Sequence, residues 1–349
     1  MAKFRLAYYG FVPHPMFLET CAKDADLDVV HIPLEASTAE AVQTLSSCHG
    51  YYVMASRDEL PKPLHVSDEL LARLPNLLVA ASYGAGYDPI DPVACTKAGV
   101  AAVNQAGGNA EGVAEHAVGM MLACLKRMPE SHAAMLAGRA QDRGTMMGRE
   151  LRGRVVGLVG AGNVGSRVAE ICRLAFGCKV IAADPYLDAG TMKARGIEKV
   201  DMDTLLAQAD VVSLHCPLTP ETRGTINAAA FAKMKKGVVF VTTARGSIHN
   251  EDDLLAALES GHVASAGLDV WELEPPPVDH PLLRHPAVIA SQHTAGVTHE
   301  SRANITRIAA LAFSDLAAGR MPPRIVNPEV KPRFAERYQA AFGVALQEA

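Results

Sequence analysis

The stretch RVVGLVGAGNVGSRVA, residues 154–169, decides the fold. Val155–Val159 is a short apolar run rich in β-branched residues and reads as a buried strand. Gly160-Ala161-Gly162-Asn163-Val164-Gly165 follows at once, and a helical pattern follows that. A lone G-x-G-x-x-G is a weak signal, but between a strand and a helix it marks a dinucleotide-binding βαβ unit. Gly160 permits the tight turn, Gly162 lets the backbone approach a pyrophosphate, and Gly165 lets the helix pack closely on the sheet. Asn163 and Val164 open the helix, whose positive end faces the phosphates. Asp184 ends the next strand candidate, KVIAAD (179–184). A carboxylate there accepts hydrogen bonds from ribose hydroxyls and repels a 2′-phosphate, so the predicted cofactor is NAD rather than NADP.

The same alternation extends in both directions. Downstream, DVVSLH (210–215), GVVFVTTA (237–244), ASAGLDV (264–270) and AVIAS (287–291) read as strands, with helices between them, notably at 163–176 and 250–260. Their near-continuous Val, Ile, Leu and Ala content suits a parallel sheet covered on both faces. Upstream, FRLAYYG (4–10), DVVHIP (28–33), YYVMA (51–55), LLVAASYG (77–84) and VAAVN (100–104) alternate with helical segments near 15–24, 37–46, 67–74 and 90–98. This is a second βα series. Between the two lie the glycine-rich QAGGNAEG (105–112) and one or two long helices up to about residue 139. A helical segment at 298–319 and a proline-punctuated tail close the chain. A length of 349 residues accommodates two domains.

Composition narrows the function classes. Apolar residues make up 49% and charged residues 20%, with a net charge of −5 and no cluster of basic residues, so no nucleic-acid partner is expected. Seven scattered cysteines without a C-x-x-C pair read as reduced core thiols, hence a cytoplasmic protein. The N-terminal MAKFRLAYYG lacks the pattern of a secretory leader. The apolar stretch Val113–Leu125 is interrupted by Glu115 and His116, so it reads as a buried helix and no membrane partner is expected. No His, Cys and Asp set has zinc-ligand spacing, so no metal is expected.

Three further segments carry the chemistry. VTTARGSIHN (241–250) puts Arg245 just past a strand end, ASAGLDVWELEPP (264–276) carries Asp269 and Glu274, and IASQHTAGVTHES (289–301) puts His293 past another strand end. Open parallel sheets bind ligands outside the carboxyl ends of their strands, so these groups are expected to converge. Together with SYGAGYDPID (82–91), NQAGGNAEGVAEHA (104–117) and LHCPLTPETRGTIN (214–227), these motifs resemble the D-isomer-specific 2-hydroxyacid dehydrogenases over residues 77–328.

The resemblance implies two doubly wound α/β domains. A Rossmann NAD-binding domain (105–294) would be inserted in a flavodoxin-like substrate domain (1–104 and 295–349). It implies an NAD-dependent oxidoreductase that moves a hydride between the nicotinamide and a small D-2-hydroxy or 2-keto acid. Arg245 would bind the substrate carboxylate, His293 would be the acid/base, and Glu274 would orient and charge it. Pro217, Thr243, Ala244 and Asp269 would lie near the cofactor, and the backbone of Tyr83, Gly84 and Ala85 would hold the substrate. The helices at 109–139 would build a homodimer. His116, His215 and His299 read as structural. The loop ASRDELPKP (55–63) departs from the pattern that phosphoglycerate dehydrogenases of the family use for the substrate phosphate. An alternative within the family is an NAD-sensing corepressor, a binding protein rather than an enzyme.

Overall fold

The computed structural model describes residues 3–57, 59–139 and 143–347. The chain divides into two compact units, Met1–Asn109 with Thr298–Ala349, and Ala110–Val297.

In the first unit, β1 (Phe4–Tyr9), β2 (Leu27–Ile32), β3 (Gly50–Val53), β4 (Val79–Ser82) and β5 (Ala101–Val103) form a parallel sheet. Its order, β2-β1-β3-β4-β5, is the flavodoxin-like doubly wound arrangement. Each strand falls on a run that the sequence marks. The helices between them start and stop on local chemistry. In Pro92–Ala98, for example, the Asp91 side chain accepts the N–H groups of Val93 and Ala94, and Gly99 ends the helix at a φ of +70°. The core centres on Tyr52, which stacks on Phe17 at 4.6 Å and meets Phe313 edge-on at 5.8 Å. Phe313 belongs to the helix His299–Ala317, so the C-terminal segment completes the core of the first hundred residues.

Asn327 pins that returning segment. Its Oδ1 accepts the Ala102 N–H (2.9 Å), and its Nδ2 donates to the Val100 carbonyl (3.1 Å) and Thr96 Oγ1 (3.0 Å). Ile325 pairs antiparallel with Val103 beside it.

In the second unit, β6 (Val155–Val159), β7 (Lys179–Ala183), β8 (Glu198–Lys199), β9 (Val211–Leu214), β10 (Val238–Thr242), β11 (Val263–Leu268) and β12 (Val288–Ala290) form a parallel sheet in the order β12-β11-β10-β9-β6-β7-β8. Winding reverses between β6 and β9, the switch point at which such sheets bind ligands. One face packs on the helices Ala110–Leu125 and Asn163–Phe176, the other on Met202–Gln208, Ala228–Lys233 and Glu251–Glu259. The sequence reading lacks β8, a two-residue exposed edge strand with no apolar signature.

The divide between the units lies a few residues beyond the expected 104 and 294. At the first junction the reason is visible. Gln105 is fully buried in the first unit, where its N–H donates to the Gly84 carbonyl (2.8 Å) and its amide to the Ser82 carbonyl (3.1 Å).

Replacing Asn327 with Ala should strand the buried Ala102 N–H and Val100 carbonyl, at a cost of about 1–3 kcal/mol. Urea unfolding of the full chain should show a lower midpoint than the parent. An unchanged midpoint would show that the returning segment is held without this side chain.

Candidate functional site

The glycine loop is built from close approaches. Gly160 has a φ of +93°, and a Cβ there would come within 2.8 Å of the Cys216 nitrogen, because the loop after β9 crosses directly beside it. A Cβ on Gly165 would overlap the Gly160 carbonyl oxygen. Gly162 differs: a Cβ there would meet nothing within 4 Å. It also stands at the N-cap of the helix Asn163–Phe176 with no side-chain cap. The space beside Gly162 is therefore open at an uncapped helix start, an arrangement that suits a diphosphate. A second sign of fit lies at the end of β10, where the Thr243 hydroxyl is buried without a hydrogen-bond partner.

Asp184, expected from the sequence to meet a ribose, is seen here as a brace. Its Oδ2 accepts the Ala161 N–H (2.9 Å) and its Oδ1 the Tyr186 N–H (2.9 Å), so it braces the glycine loop while keeping lone pairs for a ribose. Arg195, which the sequence reading omits, donates to the Ala161 carbonyl (2.9 Å) and Ser166 Oγ (2.8 Å) and braces the loop from the other side. Pro217 follows Cys216, and its carbonyl accepts the Thr222 hydroxyl (2.7 Å). His215 is buried beneath this loop against Ser213 Oγ (2.9 Å), and burial pushes its imidazole down to about 4, so it stays neutral.

The second cluster sits past the carboxyl ends of β10, β11 and β12. His293 Nδ1 lies 2.7 Å from Glu274 Oε2. Glu274 Oε1 accepts the Trp271 N–H (3.0 Å), which fixes the carboxylate plane. Glu272, two residues away, has its own N–H bound by Glu251 Oε1 (2.8 Å). The hydrogen bond to Glu274 holds the His293 imidazole above its ordinary range, against burial and the charge of Arg245. Burial pushes the Glu274 carboxyl up, but His293, the Trp271 N–H and Arg245 together bring it below its ordinary value. Arg245 follows Ala244, whose carbonyl accepts from its guanidinium (2.7 Å). Gly246 comes next because the Trp271 carbonyl group occupies the space a Cβ would need.

His293 adopts a φ of 54°, a region that non-glycine residues visit rarely. Asp269 imposes it. The Asp269 carbonyl accepts the His293 N–H (2.6 Å), Oδ1 accepts the Thr294 N–H (2.8 Å), and Oδ2 accepts the Ala295 N–H (3.0 Å). Ser291 Oγ also donates to Oδ1 (2.6 Å), and the Trp271 indole holds the Ser291 carbonyl (3.0 Å). The sequence reading omits Ser291 and Trp271, because their part here is to hold Asp269 and a backbone carbonyl, contacts that only the fold creates.

Tyr83, Gly84 and Ala85 lie in the first unit, after β4. The Tyr83 hydroxyl donates to the Tyr9 carbonyl (3.0 Å) and to that of Phe11, and the Ala85 carbonyl accepts from Asn104 (2.8 Å). Arg57 donates to the Asp88 carbonyl (2.7 Å). Among the described residues, no group of three or more His, Cys, Asp or Glu side chains is placed to hold a metal ion, and no helix is long and apolar enough to cross a membrane.

Residues 118–295 match the NAD-binding domain of the D-isomer specific 2-hydroxyacid dehydrogenases. The chain belongs to this family. It is 40% identical over 268 residues to the D-3-phosphoglycerate dehydrogenase of Archaeoglobus fulgidus, an alignment covering 76% of this chain and 50% of that one. The chain thus spans about half the length of the phosphoglycerate dehydrogenases it matches. It is 36% identical over 293 residues to the glyoxylate reductase of Thermofilum pendens, covering 79% of this chain and 86% of that one. The crystal structure of a glyoxylate reductase from Paecilomyes thermophila aligns with a TM-score of 0.80 at 29% identity, covering 91% of this chain and 96% of that one. The second unit of this 2-hydroxyacid dehydrogenase family member is therefore its NAD-binding domain.

The glycines separate two effects. Gly162→Ala should leave the melting temperature close to the parent's but weaken NADH by about tenfold or more, equivalent to ~1.4 kcal/mol. Gly165→Ala should lower both, because its Cβ collides with the loop itself. Fluorescence titration with NADH and thermal unfolding read the two. Unaltered NADH affinity in Gly162→Ala would remove the diphosphate from this loop.

Proposed function

We propose that the protein is an NAD-dependent oxidoreductase that interconverts a small 2-keto acid and the corresponding D-2-hydroxy acid. The observation that carries this reading is the His293–Glu274 pair, 2.7 Å apart, on neighbouring loops with Arg245 at the carboxyl edge of the NAD-binding sheet. NADH, when bound, supplies a hydride to the substrate carbonyl carbon. As the carbonyl oxygen gains negative charge, His293 gives it a proton. Nδ1 is engaged by Glu274, so Nε2 is the donating atom. Glu274 favours the imidazolium that reduction requires, and in oxidation the neutral ring takes the proton back. Arg245 grips the substrate carboxylate and stays charged throughout.

The backbone of Tyr83, Gly84 and Ala85 belongs to the same proposal as a further holder of the substrate. Gly160, Gly162, Asn163, Val164 and Gly165 would carry the diphosphate, Asp184 the adenosine ribose, and Pro217, Thr243, Ala244 and Asp269 the nicotinamide side. With a carboxylate at Asp184, NADH should serve better than NADPH. The corepressor alternative draws no support from a paired acid and histidine, which ligand sensing does not need. The cysteines, free thiols of which six are buried, fit the reducing interior of a cell.

Reduction needs the imidazolium, and Glu274 raises the His293 pKa, so the rate should fall as pH rises through that raised value. In Glu274→Gln the fall should come at lower pH. His293→Ala should lose about 10²–10⁴ in turnover, and Arg245→Ala about 10²–10³ with weaker substrate binding. A panel of 2-keto acids followed by NADH absorbance gives the profiles. Near-parent turnover in His293→Ala would put the proton donor elsewhere.

We also propose a homodimer. Met128, Met135 and Leu136 on the helix Met128–Leu136, with Met147 after it, stand largely exposed, and a two-fold contact would cover them twice over. Light scattering at micromolar concentration should report twice the chain mass, and a monomer would refute the contact.

A further inference from the structure

Behind the catalytic loop lies a hydrogen-bond chain that begins with two residues, His116 and Ser291, to which the proposed chemistry gives no part. His116, on the helix Ala110–Leu125, has Nε2 3.0 Å from Ser291 Oγ and 3.8 Å from Asp269 Oδ1. Ser291 Oγ is 2.6 Å from Asp269 Oδ1, and Asp269 in turn holds the backbone N–H groups of His293, Thr294 and Ala295.

The proton positions follow from counting donors. Both Asp269 oxygens accept backbone N–H groups, so the carboxylate is the acceptor towards Ser291. Ser291 has one hydroxyl hydrogen, and the short contact to the carboxylate takes it. His116 Nε2 must then carry a hydrogen and donate to the remaining lone pair of Ser291 Oγ. The chain runs in one direction, from His116 Nε2–H through the Ser291 hydroxyl to Asp269. Each donor polarises the next, which strengthens the last bond.

We infer that His116 is a positioning residue for His293, acting through Ser291 and Asp269, and that position 116 must supply a hydrogen-bond donor. The inference rests on the proposed dehydrogenase reading for its effect on rate, but not for its effect on the loop. His293 is held at a positive φ by Asp269. A conformation of that kind persists only where the surroundings over-determine it. His116 and Ser291 help fix the rotamer of the Asp269 side chain, which is itself fully buried.

The test compares three side chains at position 116 in the full chain. His116→Leu removes the donor, His116→Glu presents an acceptor, and His116→Gln restores an N–H. In His116→Leu and His116→Glu, hydrogen exchange in the segment 290–297 should quicken. For a keto acid that the parent reduces, kcat should fall about ten- to a hundredfold, the scale expected when a reacting group is misplaced by about an ångström. His116→Gln should return both exchange and kcat towards the parent, which a purely space-filling role would not produce. Should His116→Leu fail to fold, Ser291→Ala breaks the same chain at its middle link with less change in volume, and the same two effects are expected. A parent that reduces no 2-keto acid would sink the dehydrogenase reading and leave the exchange measurement intact. Parent-like kcat in an active enzyme lacking the donor, with or without faster exchange, would overturn the positioning role.

Discussion

Asp269 has no exposure to solvent, and a carboxylate in that position is costly unless every lone pair finds a donor. The donors it finds are the backbone N–H groups of the loop that carries His293, together with the Ser291 hydroxyl. The charge and the loop conformation therefore specify each other. Without the loop the carboxylate is stranded, and without the carboxylate the Thr294 and Ala295 N–H groups lose their acceptors next to His293, which stands at a positive φ. The ring of His293 then reaches Glu274, whose own orientation comes from the Trp271 N–H. Trp271 closes the circle by holding the Ser291 carbonyl with its indole. Two loops from two neighbouring strand ends are tied into one constellation without a covalent link.

The glycine loop obeys a steric constraint of the same generality. At the switch point β6 and β9 send their following loops to opposite faces, and Gly160 and Cys216 pass at backbone contact distance. Only a residue without a side chain fits at positions 160 and 165, whereas position 162 is open on the protein's side. A glycine that the fold itself does not require is better explained by something the fold receives.

Most strands are legible in the sequence because both sheets are parallel and their inner strands, such as Val155–Val159 and Val238–Thr242, are covered on two faces and read as apolar runs. Glu198–Lys199 escaped because an exposed edge strand of two residues needs no apolar side chain. Arg245, Glu274 and His293 were legible as types placed after strand ends. Their contact was not, since 19 residues separate Glu274 from His293 and only the sheet brings them together. In the sequence Asp184 shows only its charge at a strand end. Its grip on the Ala161 and Tyr186 amides is invisible in sequence, because backbone donors leave no residue signature. His116 reads as structural in the sequence for a related reason: its partner Ser291 lies 175 residues away.

The charges around His293 oppose one another, and under the proposed function that opposition has a use. Glu274 favours the imidazolium, while Arg245 disfavours it. A substrate carboxylate on Arg245 would neutralise the second influence and leave the first. The acid/base would then hold its proton more firmly when a keto acid is bound than when the site is empty. A 2-keto acid suits such an arrangement for a physical reason beyond shape: its carboxylate lies next to the carbonyl that must be protonated, so one anion both anchors the substrate and charges the donor. A ketone without that carboxylate would leave Arg245 opposing the imidazolium at the moment the proton is needed. Selection for the acid is thereby placed in the protonation step as well as in binding, which is where discrimination between substrates raises turnover rather than affinity alone.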